Sequence, residues 1–354
     1  KLTANNVTIV NGEASIVDKN HVLCGDETYE CDNLLLCTGS ETFIPPIPGI
    51  DTVPYWTHRD ALDNKELPKS LVVIGGGVIG MEFASFFNSL GVEVTVIEML
   101  DEILGGMDKE LSAMLRAEYA KRGIKFMLNT KVVSLDGNAG ENGETQVRVN
   151  YENAEGTGFS VAEKLLMSVG RRPVTKDFGL ENLNPEKTER GNIRVDGQMR
   201  TSVTGVYACG DLTGFSLLAH TAVREAEVAV HAVLGKKDCM SYRAIPGVVY
   251  TNPEIAGVGD TEEALQKKGI PYRTVKLPMA YSGRFVAENE GVNGMCKLLL
   301  AEDDTVLGAH VLGNPASEII TLAGMAVELK LTAAEWKKIV FPHPTVGEIF
   351  KEAL

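Results

Sequence analysis

Three groups of residues have the types and spacing that chemistry needs. The first is Gly75-Gly76-Gly77-Val78-Ile79-Gly80, where Gly75, Gly77 and Gly80 keep a Gly-x-Gly-x-x-Gly spacing, with Glu82 just beyond and Glu98 23 residues after Gly75. In a dinucleotide site the first glycine permits a tight turn, the second leaves room for a pyrophosphate, and the third lets helix and strand pack closely. A helix opening there offers free N–H groups to the phosphates. An acid at the position of Glu98 accepts hydrogen bonds from an adenosine ribose and repels a 2′-phosphate, which favours NAD over NADP. The second group is His343, held between Pro342 and Pro344, with Glu348 following. A rigidly placed histidine suits acid–base work near neutral pH, and Glu348 can orient its ring. Thr345-x-x-Glu348 is equally a capping box, in which the acid folds back onto its own backbone. Spacing allows both readings.

The third group is a set of turns. Thr38-Gly39-Ser40 follows the apolar run Leu34–Cys37, and small residues there let backbone approach a ligand. Asp211 stands just past Gly210 after Thr204–Cys209, where an acid can accept from polyol hydroxyls. Leu217, Leu218, Ala219 and His220 open a helix whose free N–H groups can stabilise an anion. Each has a plain alternative: a strand-to-loop turn, an acid in a turn, a helix-start histidine. Arg171 and Arg172 could meet phosphate, but read first as an exposed loop pair.

The elements that must position these residues follow from periodicity. Leu71–Ile74 predicts a buried parallel strand, Val78–Leu90 a helix stopped by Gly91, and Val92–Ile97 a second strand closed by Glu98. Val7–Val10, Ala14–Val17 and His21–Leu23 read as a small antiparallel meander. Pro45-Pro46-Ile47-Pro48-Gly49 is a stiff connector and a domain boundary. Asp108 caps a helix over Lys109–Arg122, and strands are predicted at Ile124–Leu128, Lys131–Leu135, Gln146–Tyr151 and Lys164–Val169. A turn-rich loop covers Gly137–Glu144. Gly191–Arg200 reads as strand and turn. Beyond Tyr242 the pattern predicts a capped helix at Thr261–Gly269, a hairpin of Gly294–Leu300 with Thr305–Leu312, a helix over Pro315–Lys330, and a capping box at Thr332–Glu335.

A chain of 354 residues has room for two or three domains. Its net charge of −14 argues against a nucleic-acid partner. The most apolar run, Leu71–Met81, is too short to span a membrane. No signal peptide is visible, although the chain begins at Lys1 rather than Met. Six cysteines show neither Cys-x-x-Cys nor zinc-site spacing, so no metal is expected, and a reducing cytoplasm suits this usage. Cys37 and Cys209 lie in apolar runs and read as buried small hydrophobes.

Taken in order, the Gly75–Glu98 unit, Thr38–Ser40, Thr204–Asp211, Leu217–His220, Val248–Gly259 (VVYTNPEIAGVG) and His343–Glu348 resemble the pyridine nucleotide–disulfide oxidoreductases over essentially the whole chain. The nearest resemblance is to the branch that oxidises dihydrolipoamide. It implies an α/β fold: a Rossmann-like NAD domain at 68–185 (parallel sheet with helices plus a β-meander), a partial FAD domain at 1–67 and 186–240, and an α+β dimerisation domain at 241–354. Gly75 to Gly80, Glu82, Glu98, Val133 and Gly170 would line the NAD site. Thr38, Gly39, Ser40, Asp211 and Leu217 to His220 would belong to the FAD site. His343 would be the acid–base group for the dithiol, oriented by Glu348 and completing the partner subunit's site in a homodimer, with a lipoyl-bearing protein as substrate. Two departures stand out. Phe341 replaces the first histidine of the family's His-x-His-Pro-Thr pattern. The family's opening Gly-x-Gly-x-x-Gly and its Cys-x4-Cys pair are not in this sequence, so the reading expects an N-terminal truncation and a colourless fragment without turnover. It also expects apolar faces around Leu35 and Tyr207 to be poorly ordered or covered by another molecule. Glutathione- or mercury-type reductases are a second reading, disfavoured by Glu98. An NAD-binding, dimerising module without turnover is a third.

Overall fold

A computed structural model describes residues 2–139 and 145–354. The chain forms two compact units, one of residues 1–41 with 171–242 and one of 42–170 with 243–354. The fold is mixed α/β, with a parallel sheet in the middle of the chain and an antiparallel sheet at its C-terminal end.

The larger unit is built on a four-stranded parallel sheet in the order Lys164–Met167, Ser70–Ile74, Glu93–Ile97, Lys125–Met127. Its central strand reads SLVVI with four consecutive buried residues, as expected for a strand covered on both faces. Leu71 and Val73 face a core shared with Met81, Ala84 and Phe87 of the helix Val78–Ser89 and with Leu111, Leu115 and Tyr119 of the helix Lys109–Lys121. Val72 and Ile74 face Leu135, Val147 and Val149 of an antiparallel ribbon. Each of the Val, Leu, Ile, Phe and Met side chains among these contributes about 1.5–3 kcal/mol on burial, so the glycine turn hangs from a well-packed frame. The C-terminal part is a five-stranded antiparallel sheet, Gly247–Val249, Ile255–Gly259, Val306–Leu312, Met295–Leu300, Arg273–Pro278, with the helix Ala316–Glu328 packed on it.

The smaller unit pairs Leu34–Leu36 in parallel with Val206–Ala208. One side carries Ile16, Leu180, Ile193 and Leu212, and the helix Ala219–Val233 lays Val228, Ala229 and Ala232 on the other. The expectation that these strands would show bare or disordered faces is not met: Tyr207 is 7% exposed and Leu35 half-buried against that helix. Layers within the unit cover both faces. Among the described residues no helix is long and apolar enough to cross a membrane.

Several expectations need correction. Val7–Val10 is not a strand; it is exposed, and the meander is Ala14–Asp18, His21–Cys24 and Glu27–Glu30, where an unforeseen third strand closes the ladder. Gly191–Arg200 forms only isolated bridges, because Arg200 pairs singly with Tyr207 and Ile193 with Lys187. The ribbon strands run longer than periodicity indicated, Lys131–Ala139 and Thr145–Asn153, and gain Gly156–Ala162. Of the loop expected at Gly137–Glu144, residues 140–144 lie outside the described residues.

Candidate dinucleotide and acid–base sites

The glycine turn joins strand to helix with the geometry a pyrophosphate cradle requires. Gly75 has φ +101°, and a Cβ there would lie 2.5 Å from the Ser168 carbonyl oxygen. At Gly80 a Cβ would fall 2.0 Å from the Gly75 carbonyl, so this glycine sets how closely helix and strand approach. Gly77 differs: nothing lies within 4 Å of the Cβ it lacks, and it caps the helix without a side-chain acceptor for the first-turn N–H groups. Open space beside uncapped donors of Val78, Ile79 and Gly80 fits an anionic group. Glu98 frames this cradle, accepting from the Gly76 N–H at 2.6 Å and from the Leu100 N–H at 2.8 Å.

The remaining predicted NAD-site residues are placed less directly. Gly170, at φ +127°, follows the Ser168–Val169 segment that walls Gly75. Val133 is half-buried in the ribbon strand that begins just after Thr130, whose N–H bonds the Glu98 carbonyl at 2.9 Å. Glu82 accepts from the Tyr250 N–H at 2.8 Å; burial pushes its carboxyl up, and that N–H opposes the shift.

In the smaller unit, turns 171 residues apart in sequence meet. Ser40 Oγ donates to Asp211 Oδ2, and Gly39 at φ +70° turns the chain between Thr38 and Ser40. Thr38 Oγ1 donates to the Val174 carbonyl at 2.8 Å. Among the described residues nothing donates to Asp211 Oδ1, and that free acceptor beside a small-residue turn fits a polyol ligand. Leu217 to His220 open the helix Ala219–Val233 with no side-chain cap, and Leu217, Ala219 and His220 are exposed.

Arg171 was misjudged from sequence. It is half-buried, donating from Nε to Ser40 Oγ and from Nη2 to the Ser40 carbonyl, both at 2.6 Å, with Asp211 Oδ2 at 3.8 Å. Arg172 alone is exposed, paired with Glu41. Glu225 was missed altogether. Fully buried, it accepts from the Gly210 N–H and the Tyr242 hydroxyl at 2.6 Å each, and burial pushes its carboxyl up. Its signal was an acid within the buried face formed by Thr221, Val228, Ala229 and Ala232. Cys37 also departs from expectation: it is exposed, while Cys209 is buried.

At the C-terminal end Glu348 makes both of the contacts that spacing allows. Its carboxylate lies 3.0 and 3.1 Å from His343 Nδ1 and accepts from the Thr345 N–H at 2.8 Å. The Thr345 N–H first, then His343, holds the carboxyl below the usual glutamate range. The His343 side chain is 82% exposed, so its other ring nitrogen is presented outward. One nitrogen fixed and one free is what a general acid–base requires. Phe341 packs against the C-terminal core.

These turns and this histidine lie on a fold that defines a class: the chain belongs to the pyridine nucleotide–disulphide oxidoreductase family, whose model matches residues 1–226, with the family's dimerisation domain at residues 245–354. The members of this family are flavoprotein disulfide oxidoreductases that use FAD and NAD. The chain is 38% identical to human mitochondrial dihydrolipoyl dehydrogenase, covering 99% of itself and 69% of that protein. It is likewise 38% identical to the dihydrolipoyl dehydrogenase of Geobacillus stearothermophilus, over 99% and 74%. Among solved structures it resembles the HOCl-induced flavoprotein disulfide reductase RclA of Escherichia coli (TM-score 0.87, 27% identity, 98% of this chain and 79% of that one). LpdA from Mycobacterium tuberculosis is similar too (TM-score 0.87, 28% identity, 99% and 77%).

Proposed function

We propose that this chain carries the NAD site, part of the FAD site and the acid–base histidine of a dihydrolipoamide-oxidising enzyme. The observation that carries the reading is the cradle at Gly77, with its open space, uncapped helix donors and Glu98 bonded across the turn. Gly75 to Gly80, Glu98 and Gly170 would hold NAD, with Glu82 and Val133 in its surroundings. Thr38, Gly39, Ser40, Asp211 and Leu217 to His220 would hold FAD. The flavin, when bound, supplies two-electron transfer between dithiol and nicotinamide. His343 holds or releases the dithiol proton at its free nitrogen, and Glu348 fixes the ring.

The proposed division is a flavin part at 1–67 and 186–240, an NAD part at 68–185, and an interface part at 241–354. The exposed position of His343 supports its service to the partner subunit of a homodimer. A lipoyl-bearing protein is the proposed substrate and the cytoplasm the proposed location. None of the six cysteines lies five positions from another, so we expect these 354 residues alone to turn over no dihydrolipoamide. Fluorescence titration with NADH and NADPH checks the reading. NADH should bind at least about tenfold more tightly, a difference of about 1.4 kcal/mol; equal affinities, or a preference for NADPH, would refute it.

A further inference from the structure

We propose that Cys37 and Cys209 form a redox-active dithiol that closes to a disulfide by exchange with a small-molecule disulfide. The sulfurs lie 3.4 Å apart although the residues are 172 positions apart in sequence. Leu36 stands opposite Ala208 in the parallel pair, and the Cys209 N–H bonds the Leu36 carbonyl at 3.1 Å, so the two cysteines are the next residues of one ladder. Neighbouring strands run about 4.8 Å apart, inside the Cα separation of about 4.4–6.8 Å that disulfides bridge. The sulfurs need to close to about 2.05 Å, which rotation of the two side chains just past the strand pair supplies. The other four cysteines have no such neighbour among the described residues: Cys24, Cys31, Cys239 and Cys296 make no sulfur–sulfur contact.

The two thiols are chemically unequal. Cys37 is exposed, and its hydrogen bond with Cys209 holds its thiol below the usual range, outweighing burial. Cys209 is 4% exposed and is pushed up by its bond to Cys37 and by burial. Cys37 is therefore the entry point, because the thiolate is the attacking species. Its thiolate attacks one sulfur of the incoming disulfide; that S–S bond breaks, and the leaving thiolate takes up the proton Cys37 lost. Cys209 then gives up its proton and attacks the Cys37 sulfur, expelling the second thiol. Two cysteines are oxidised by two electrons and one external disulfide is reduced to two thiols. The bond would tie together the strand ends that lead into Thr38–Ser40 and Gly210–Asp211, yet its formation does not depend on what those turns bind.

The test is to treat the reduced chain with oxidised glutathione, quench in acid, alkylate and map peptides by mass. The expected product joins the Cys37 and Cys209 peptides, removes two of six alkylatable thiols and is reversed by dithiothreitol. Cys209→Ser should stop at a glutathione adduct on Cys37, and Cys37→Ser should form neither product. Finding Cys37 and Cys209 separately alkylated in the oxidised wild type, or Cys37 joined to another cysteine, overturns the proposal. So does a Cys209→Ser protein that carries no more glutathione on Cys37 than on exposed Cys239.

Discussion

Alanine at Gly77 and alanine at Gly80 add the same methyl group three residues apart, and the structure predicts opposite consequences. Gly77 has φ −71° and ψ −175°, extended backbone that any residue adopts, and its new Cβ meets nothing within 4 Å. Replacing glycine by alanine at an N-cap costs about 0.5–1 kcal/mol, so Gly77→Ala should fold and melt only a few degrees lower. Its methyl, however, enters the space proposed for the pyrophosphate. Losing one charge-assisted bond to a phosphate oxygen costs about 1.5–3 kcal/mol, an increase of about 10- to 150-fold in the Kd for NADH. At Gly80 the methyl would sit 2.0 Å from the Gly75 carbonyl and 2.6 Å from Ser168 Oγ, well inside the ordinary contact of about 3.3 Å. The helix must then move off the strand, an overpacking cost of about 1–3 kcal/mol or more. Paired NADH titrations and thermal melts separate the two effects. Unchanged NADH affinity in Gly77→Ala, or an unchanged melt in Gly80→Ala, would refute the reasoning.

Three further outcomes follow from single side chains. Glu98→Gln places an amide N–H against either the Gly76 or the Leu100 donor, both now bonded to the carboxylate; it should destabilise the turn by about 1–3 kcal/mol and narrow the preference for NADH over NADPH, read by calorimetry and titration. Glu348 has its carboxyl held down in the folded state, so the stability it contributes is complete above the ordinary glutamate range and is lost as pH falls through the folded value. Urea unfolding from the ordinary glutamate range downward in pH should therefore show a shallower acid limb for Glu348→Gln, and parallel limbs would contradict the assignment. Lys297, fully buried, lies 2.8 Å from Asp108 and 3.0 Å from Glu110 and also bonds Glu262. Burial opposes its charge, but the three carboxylates together hold its amine above the usual range. Lys297→Met leaves the buried Asp108 carboxylate without its cation, while Glu110 keeps Lys276 and Glu262 keeps Thr274, and should cost about 3–5 kcal/mol; a near-neutral change in chemical denaturation would show that the cluster does not matter.

What was legible in the sequence is what local physics encodes. The glycine turn, the strands flanking it, the Asp108 and Thr261 caps and the Thr332 capping box each depend on residues within a few positions of one another, and each stands where spacing placed it. Glu348 was legible as two alternatives, and only three-dimensional closeness shows that one carboxylate contacts both the His343 ring and the Thr345 N–H. Side chains whose roles come from distant partners were opaque. Arg171 looked like a loop arginine because Ser40 lies 131 positions away. Glu225 became a buried acceptor only once Tyr242 and Gly210 closed over it. Cys37 and Cys209 looked like separate small apolar residues until strand pairing set their sulfurs side by side. Sequence by itself determined the local conformations and the family, because those rest on short-range spacing. Tertiary structure alone decided which polar and sulfur atoms meet, because hydrogen bonding and thiol exchange act only across a few ångströms, which distance along the chain does not report.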